Sequence, residues 1–188
     1  MANNSSNRKP ATPFQRFVTR TYEWELAGYS FFELRADGTA RSLVAGLEKS
    51  MVTGVEVMVP VWHLLEFNVD KADIDKFAAL IDNSGFRDLD ASYEANIDDG
   101  TLEELLLEDM DSVKRVQCSN RFPDAVITLK TFIQETILAK QPASIADKAG
   151  LSHDQAETIW ESVLETKNQP RQPRSTNAAK KTITGNNL

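Results

Sequence analysis

Along residues 31–44 (FFELRADGTARSLV) apolar and polar positions alternate, with Phe32, Leu34 and Ala36 on one side and Phe31, Glu33 and Arg35 on the other. A period of two is the signature of a strand, and Asp37-Gly38 supports the positive φ angles of a type I′ turn, so this stretch predicts a β-hairpin. Upstream, Tyr22, Trp24 and Leu26 alternate with polar neighbours and carry the strand reading back toward Thr21. Residues 51–59 (MVTGVEVMV) predict a further strand, ended by Pro60. The period changes at DKADIDKFAALIDNSGF. Here Asp70 is placed to cap a helix, Ile74, Phe77, Leu80 and Ile81 share one face, and Gly85 closes the helix with Phe86 set against Ile81. A second helix opens at Pro123 and keeps Val126, Leu129, Ile133 and Ile137 at helical spacing. Between the helices, TLEELLLEDMDSVKRVQC admits two readings. Thr101 with Glu104 has capping-box spacing, whereas Asp111-Ser112 resembles a turn between two strands, with Val116 and Cys118 on one face. We take the hairpin.

After Pro142 come two short helical signals, ASIADKAG and SHDQAETIWESVLE, each with a capping-box pair (Ser144 with Asp147, Ser152 with Gln155). Ala156, Ile159, Trp160, Val163 and Leu164 form the apolar stripe of the second. The pattern as a whole predicts an α+β fold: a small antiparallel sheet covered by two helices over residues 13–140, followed by a C-terminal helical hairpin over 141–167. Residues 1–12 and 168–188 are rich in Asn, Ser, Thr, Pro, Lys and Arg and read as disordered basic tails.

Charge sharpens this division. The 188-residue chain has a net charge of −7, yet residues 1–20 and 168–188 each carry four bases and no acid, so the middle is strongly acidic. Sorted charge speaks to partners and solubility, not to fold. With 41% hydrophobic residues and a single cysteine, Cys118, the chain can build its own core without disulfide staples. No apolar run is long enough for a membrane helix or a signal peptide, which predicts a cytoplasmic protein with no membrane contact.

Residues 31 to about 138 resemble an uncharacterised bacterial α+β domain of unknown function, through FELRADGTA (Phe32–Ala40), FAALIDNSGFRDLDASY (Phe77–Tyr93), VKRVQC (Val113–Cys118) and FPDAVITLKTFI (Phe122–Ile133). The resemblance implies a small sheet covered by two helices and no established activity. Members of that family carry a cysteine-containing segment ahead of the first hairpin, and its absence here argues against a redox or lipid-anchored role. Residues 142–165 resemble the first two helices of the bacterial histone-like HU family, and also fit a helix-turn-helix frame. In the HU family such helices support dimerisation, while DNA is gripped by a β-arm, which this chain is not expected to have. As a recognition helix, Ser152–Glu165 would present Asp154, Glu157 and Glu161 to phosphates, which argues against groove reading.

The chemistry is sparse. Ten acids lie between Asp88 and Asp111 with no Lys or Arg among them. An EF-hand register starting at Asp88 puts Tyr93 where glycine is needed and Asp99 where a bidentate glutamate belongs. His63 reads as a structural residue and His153 as an exposed one; with Cys118 they offer no metal-ligand spacing, and no phosphate-cradling glycine loop is present. We therefore expect no catalytic residue, metal or cofactor, and a non-catalytic binding or interaction module that binds a protein partner or self-associates. Its candidate contact residues are Asp98, Asp99, Glu103, Glu104 and Trp160, together with Arg171, Arg174, Lys180 and Lys181. Two alternatives stand beside it: weak, non-specific nucleic-acid association through the basic tails, and a hydrolase built on carboxylates of residues 88–111.

Overall fold

The computed structural model describes residues 13–23, 28–95, 100–141 and 150–166. Seven strands form one mixed sheet in the order β4-β3-β2-β1-β6-β7-β5: β1 Phe14–Glu23, β2 Gly28–Arg35, β3 Thr39–Val52, β4 Val55–Asn68, β5 Ser92–Glu94, β6 Thr101–Asp109 and β7 Val113–Ser119. All neighbours are antiparallel except β5, which lies parallel to β7. Helices α1 (Lys71–Asn83) and α2 (Asp124–Phe132) pack on one face, and α3 (His153–Ser162) packs on the other.

This corrects the expected small antiparallel sheet covered by two helices, and with it the architecture implied by the family resemblance. The sheet is large, it contains a parallel pair, and its two faces are covered by different helices. The expected strand 51–59 is in fact the tip of a long hairpin. β3 and β4 are 14 residues each and turn at Thr53-Gly54, where φ is 50° and 83°, the signature of a type I′ turn. Pro60 does not stop the strand. Trp62, two residues on, turns its backbone outward to Leu151 (Trp62 N to Leu151 O 3.3 Å, Leu151 N to Trp62 O 2.7 Å), so the missing N–H of Pro60 also lies on the outer edge, where proline breaks no ladder bond. At Asp37-Gly38 only Gly38 has positive φ (93°), and the pairing of Leu34 with Ala40 leaves a wider loop than type I′ requires. That loop is tucked under the start of α1, with Val69 N donating to Gly38 O at 2.9 Å.

The helix readings hold closely. Asp70 occupies the N-cap position of α1 although its side chain makes no capping hydrogen bond, Gly85 is left-handed (φ 78°), and Phe86 is buried in the same cluster as Ile81. α2 begins one residue after Pro123 and runs on through a wide turn at Ile133–Ile137. Of the C-terminal helical pair only the second helix falls within the described residues; residues 142–149 and both tails lie outside them, as do Trp24 and Leu26.

Two apolar clusters sandwich the sheet. Beneath α1 and α2, Phe17, Phe77 and Phe86 are fully buried and meet edge to face, with ring centroids 5.1 Å (Phe17–Phe77) and 5.8 Å (Phe17–Phe86) apart. Burying each such side chain stabilises the fold by about 1.5–3 kcal/mol. Beneath α3, Val18, Tyr29, Phe31, Leu43, Trp62 and Leu106 meet Ala156, Val163 and Leu164. Because both faces of the central strands are covered, Leu105, Leu106 and Leu107 are all buried in succession.

Candidate functional site

Trp160, one of the expected contact residues, lies on α3. α3 starts with a complete capping box between Ser152 and Gln155. Its last carbonyls, which carry the negative end of the helix dipole, are met by three arginines from the sheet. Arg16 donates to the carbonyls of Val163 and Glu165, Arg20 to those of Trp160 (3.0 Å) and Glu161 (3.3 Å), and Arg115 to that of Leu164 (2.9 Å). Trp160 itself is half-buried. Its indole N–H donates to Thr21 O at 3.0 Å, and the Arg20 guanidinium lies 4.0 Å from the centre of its ring. Tyr29 O–H donates to Glu157 at 2.9 Å, and burial, aided by Glu157, pushes the Tyr29 hydroxyl up to about 12. These contacts clamp the helix to the sheet.

The acidic stretch is divided by strand geometry. Successive side chains point to opposite faces, so Glu103 and Glu104 cannot converge. Glu103 is fully buried under α2, accepting from Thr19 Oγ1 (2.7 Å) and Lys130 Nζ (2.5 Å). Glu104 lies on the α3 side, paired with Arg20 at 2.7 Å. Glu108 pairs with Arg16 at 3.4 Å, and Asp109 with Arg87. A hydrolase needs two carboxylates aimed at one bond, and among the described residues of this stretch Glu103 and Glu104 are instead committed to separate cations. Cys118, across from Glu103, is pushed up to about 11, first by burial and then by that carboxylate, so it stays a thiol at neutral pH. Asp98, Asp99, Arg171, Arg174, Lys180 and Lys181 lie outside the described residues.

One ionic centre was not anticipated. Glu33, buried on β2, accepts hydrogen bonds from Arg16 (2.7 Å), Arg35 (3.0 Å) and Arg41. Burial alone would raise its carboxyl; the bonds from Arg41 and Arg16 outweigh burial and hold it below the usual value. A cavity of about 430 Å³ opens above it, lined by Glu33, Arg35, Arg41, Glu66, Phe67 and Asn68. Two arginines against two glutamates leave that cavity without net charge. The sequence signal was present, since Glu33 lies beside Arg35 and faces Arg41 across the Asp37-Gly38 turn. His153, Asp154 and Glu157 bring donor atoms within 4.8 Å of one another, but His153 and Asp154 lie on the first turn of α3, where the helix dipole opposes a cation, and Glu157 is already held by Tyr29. His63 is buried; its Nδ1 has no hydrogen-bond partner among the described residues, and its Nε2 lies 3.7 Å from Glu48.

Among the described residues, exposed large apolar side chains concentrate on the outer part of the β3–β4 hairpin. β2 pairs with β3 only from Ala40 to Leu43, so Val44–His63 continues as a two-stranded ribbon, buried at its base at Trp62 and His63; this corrects the expectation that the chain has no β-arm. Leu47 (66% exposed), Met51 (66%), Val55 (60%) and Met58 (53%) lie on it, four of the seven large apolar side chains that the described residues expose. By register, Leu47, Pro60, Lys49, Met58, Met51 and Glu56 continue the α3-side face. Lys49 and Glu56 pair there at 2.9 Å.

No protein-family model matches the chain, and no curated protein resembles it at a significant level. Among the described residues no helix is long and apolar enough to cross a membrane.

Proposed function

We propose that this chain is a non-catalytic protein-binding module whose contact surface is the β3–β4 arm. The observation that supports the reading is the concentration of exposed Leu47, Met51, Val55 and Met58 on the outer part of a ribbon whose base alone is covered, at Trp62, by Leu151 and α3. Contiguous exposed apolar surface marks interaction sites, because water gains when a partner removes it. The arm carries Glu48, Lys49 and Glu56 as its only charged residues, which gives it no electrostatic hold on a nucleic-acid backbone. On the β4 edge of the ribbon, Pro60 withholds a donor that an added strand would need, which favours packing on the ribbon's faces over strand addition along that edge. The reading includes a cytoplasmic setting, supported by the lone buried cysteine.

Photo-reactive residues placed one at a time at Met51, Met58 and, as a control, Ile127 on α2 test the assignment in living cells. Ile127 is also exposed (49%) but lies away from the arm. Adducts from the two arm positions and none from Ile127 are expected. Equal labelling at all three, or none, removes the arm as the contact surface.

A further inference from the structure

We infer that the occupant of the arm is a second copy of this chain, two arms stacking through their α3-side faces about a two-fold axis. The inference rests on the arm being the contact surface and adds what it contacts.

Three features of the face favour self-association. It is apolar at Leu47, Met51, Met58 and Pro60, and its two charges are one of each sign, Lys49 and Glu56, so a copy turned by 180° meets no like-charge penalty and can set each lysine near the other's glutamate. A two-fold contact requires this self-complementarity, because every residue meets the same patch on its partner. The second feature is reach. Residues 21–167 hold all 28 acids against 13 bases, a net −15 that would drive two bodies apart at contact distance. A ribbon from Val44 to Val52 spans about 30 Å at roughly 3.3 Å per residue. Bodies joined through such arms sit well beyond the Debye length of about 8 Å at physiological ionic strength, so their repulsion is largely screened. The third lies at the β4 edge, where Pro60 withholds a donor and Leu151 already pairs with Trp62, so along that edge the copies stack face on face at about 10 Å instead of adding a strand.

Area sets the strength. A face about 30 Å long and about 10 Å wide is roughly 300 Å², below the roughly 800 Å² per partner of a standard stable interface. The dimer is therefore weak and forms and dissolves with concentration.

Sedimentation of the full chain from about 1 µM to about 1 mM tests this. The weight-average mass should climb from one chain toward two, and the Leu47→Glu/Met58→Glu double variant should stay at one chain over the same range with an unchanged far-ultraviolet spectrum. Met51→Lys, a single change on the same face, guards against a folding artefact and should shift the midpoint at least tenfold. A wild-type mass of one chain throughout overturns the inference, as does a dimer that all three substitutions leave intact. The photo-reactive residue at Met51 separates this failure from failure of the arm itself. Adducts to a different protein, with a monomeric chain, keep the arm as a contact surface and discard the second copy; no adduct and no dimer discards both.

Discussion

The centre of the sheet and its outer hairpin are made of similar residues and have opposite fates. In β1 and β6, Phe17, Val18, Leu105, Leu106 and Leu107 are sealed between α1 and α2 on one side and α3 on the other. In the outer β3–β4 hairpin, Leu47, Met51, Val55 and Met58 stand in water. Leucine and valine occur in both regions, so side-chain type does not decide burial; the reach of the helices does. The difference teaches that apolar surface in this fold is either locked by helices or offered outward, and that the same strand pair passes from one condition to the other along its length.

The contrast can be broken hardest at the centre. Phe77 is fully buried with Phe14 and Phe17 edge-on at 5.9 Å and 5.1 Å, so Phe77→Ala should cost about 3–5 kcal/mol, read from the denaturant midpoint. A loss below about 1 kcal/mol would mean that the α1 face is loosely packed. Glu33→Gln comes next. It leaves Arg16, Arg35 and Arg41 facing one another across neighbouring strands without their shared carboxylate, and the loss should be about 3 kcal/mol, the lower end for a broken buried pair because Arg35 and Arg41 partly reach solvent. The same residue carries a pH dependence. Its carboxyl titrates below its ordinary value of 4.5 in the folded chain, so its contribution is complete above that value and is lost as pH falls through the folded-state value. Wild-type stability should therefore decline on acidification more steeply than that of Glu33→Gln; parallel profiles would contradict the assignment. The smallest effect belongs to the arm. Leu47→Glu should change monomer stability by no more than about 0.5 kcal/mol, since the side chain has little to lose on the folded side.

How much of this was legible depends on what covers each strand. α1 could be read from Ile74, Phe77 and Ile81 because only one of its faces is buried, which leaves a clean 3.6-residue rhythm. β6 was ambiguous because both of its faces are buried, which erases the alternation at Leu105–Leu107. The long hairpin was cut in two for a different reason. Its type I′ turn begins with Thr53, a β-branched residue that seldom takes φ of 50°, and Pro60 looked like a terminus when its missing donor merely faces the outside. Among the candidate contacts, charge alone could not say that Glu103 would meet Lys130 in the interior while Glu104 met Arg20 on the far side; that follows from pairing partners many residues away. Trp160 was rightly placed on an apolar stripe, but the arginines that hold it come from strands no local pattern connects to α3.

The placement of the indoles has an optical consequence. Of three tryptophans, Trp62 and Trp160 both sit in the cluster under α3, one of them beneath a guanidinium, and the aromatic core under α1 and α2 is built from phenylalanine. Ultraviolet emission from those two rings therefore watches the seating of one helix. A lifted α3 would change colour and brightness while the phenylalanine side stayed dark and intact.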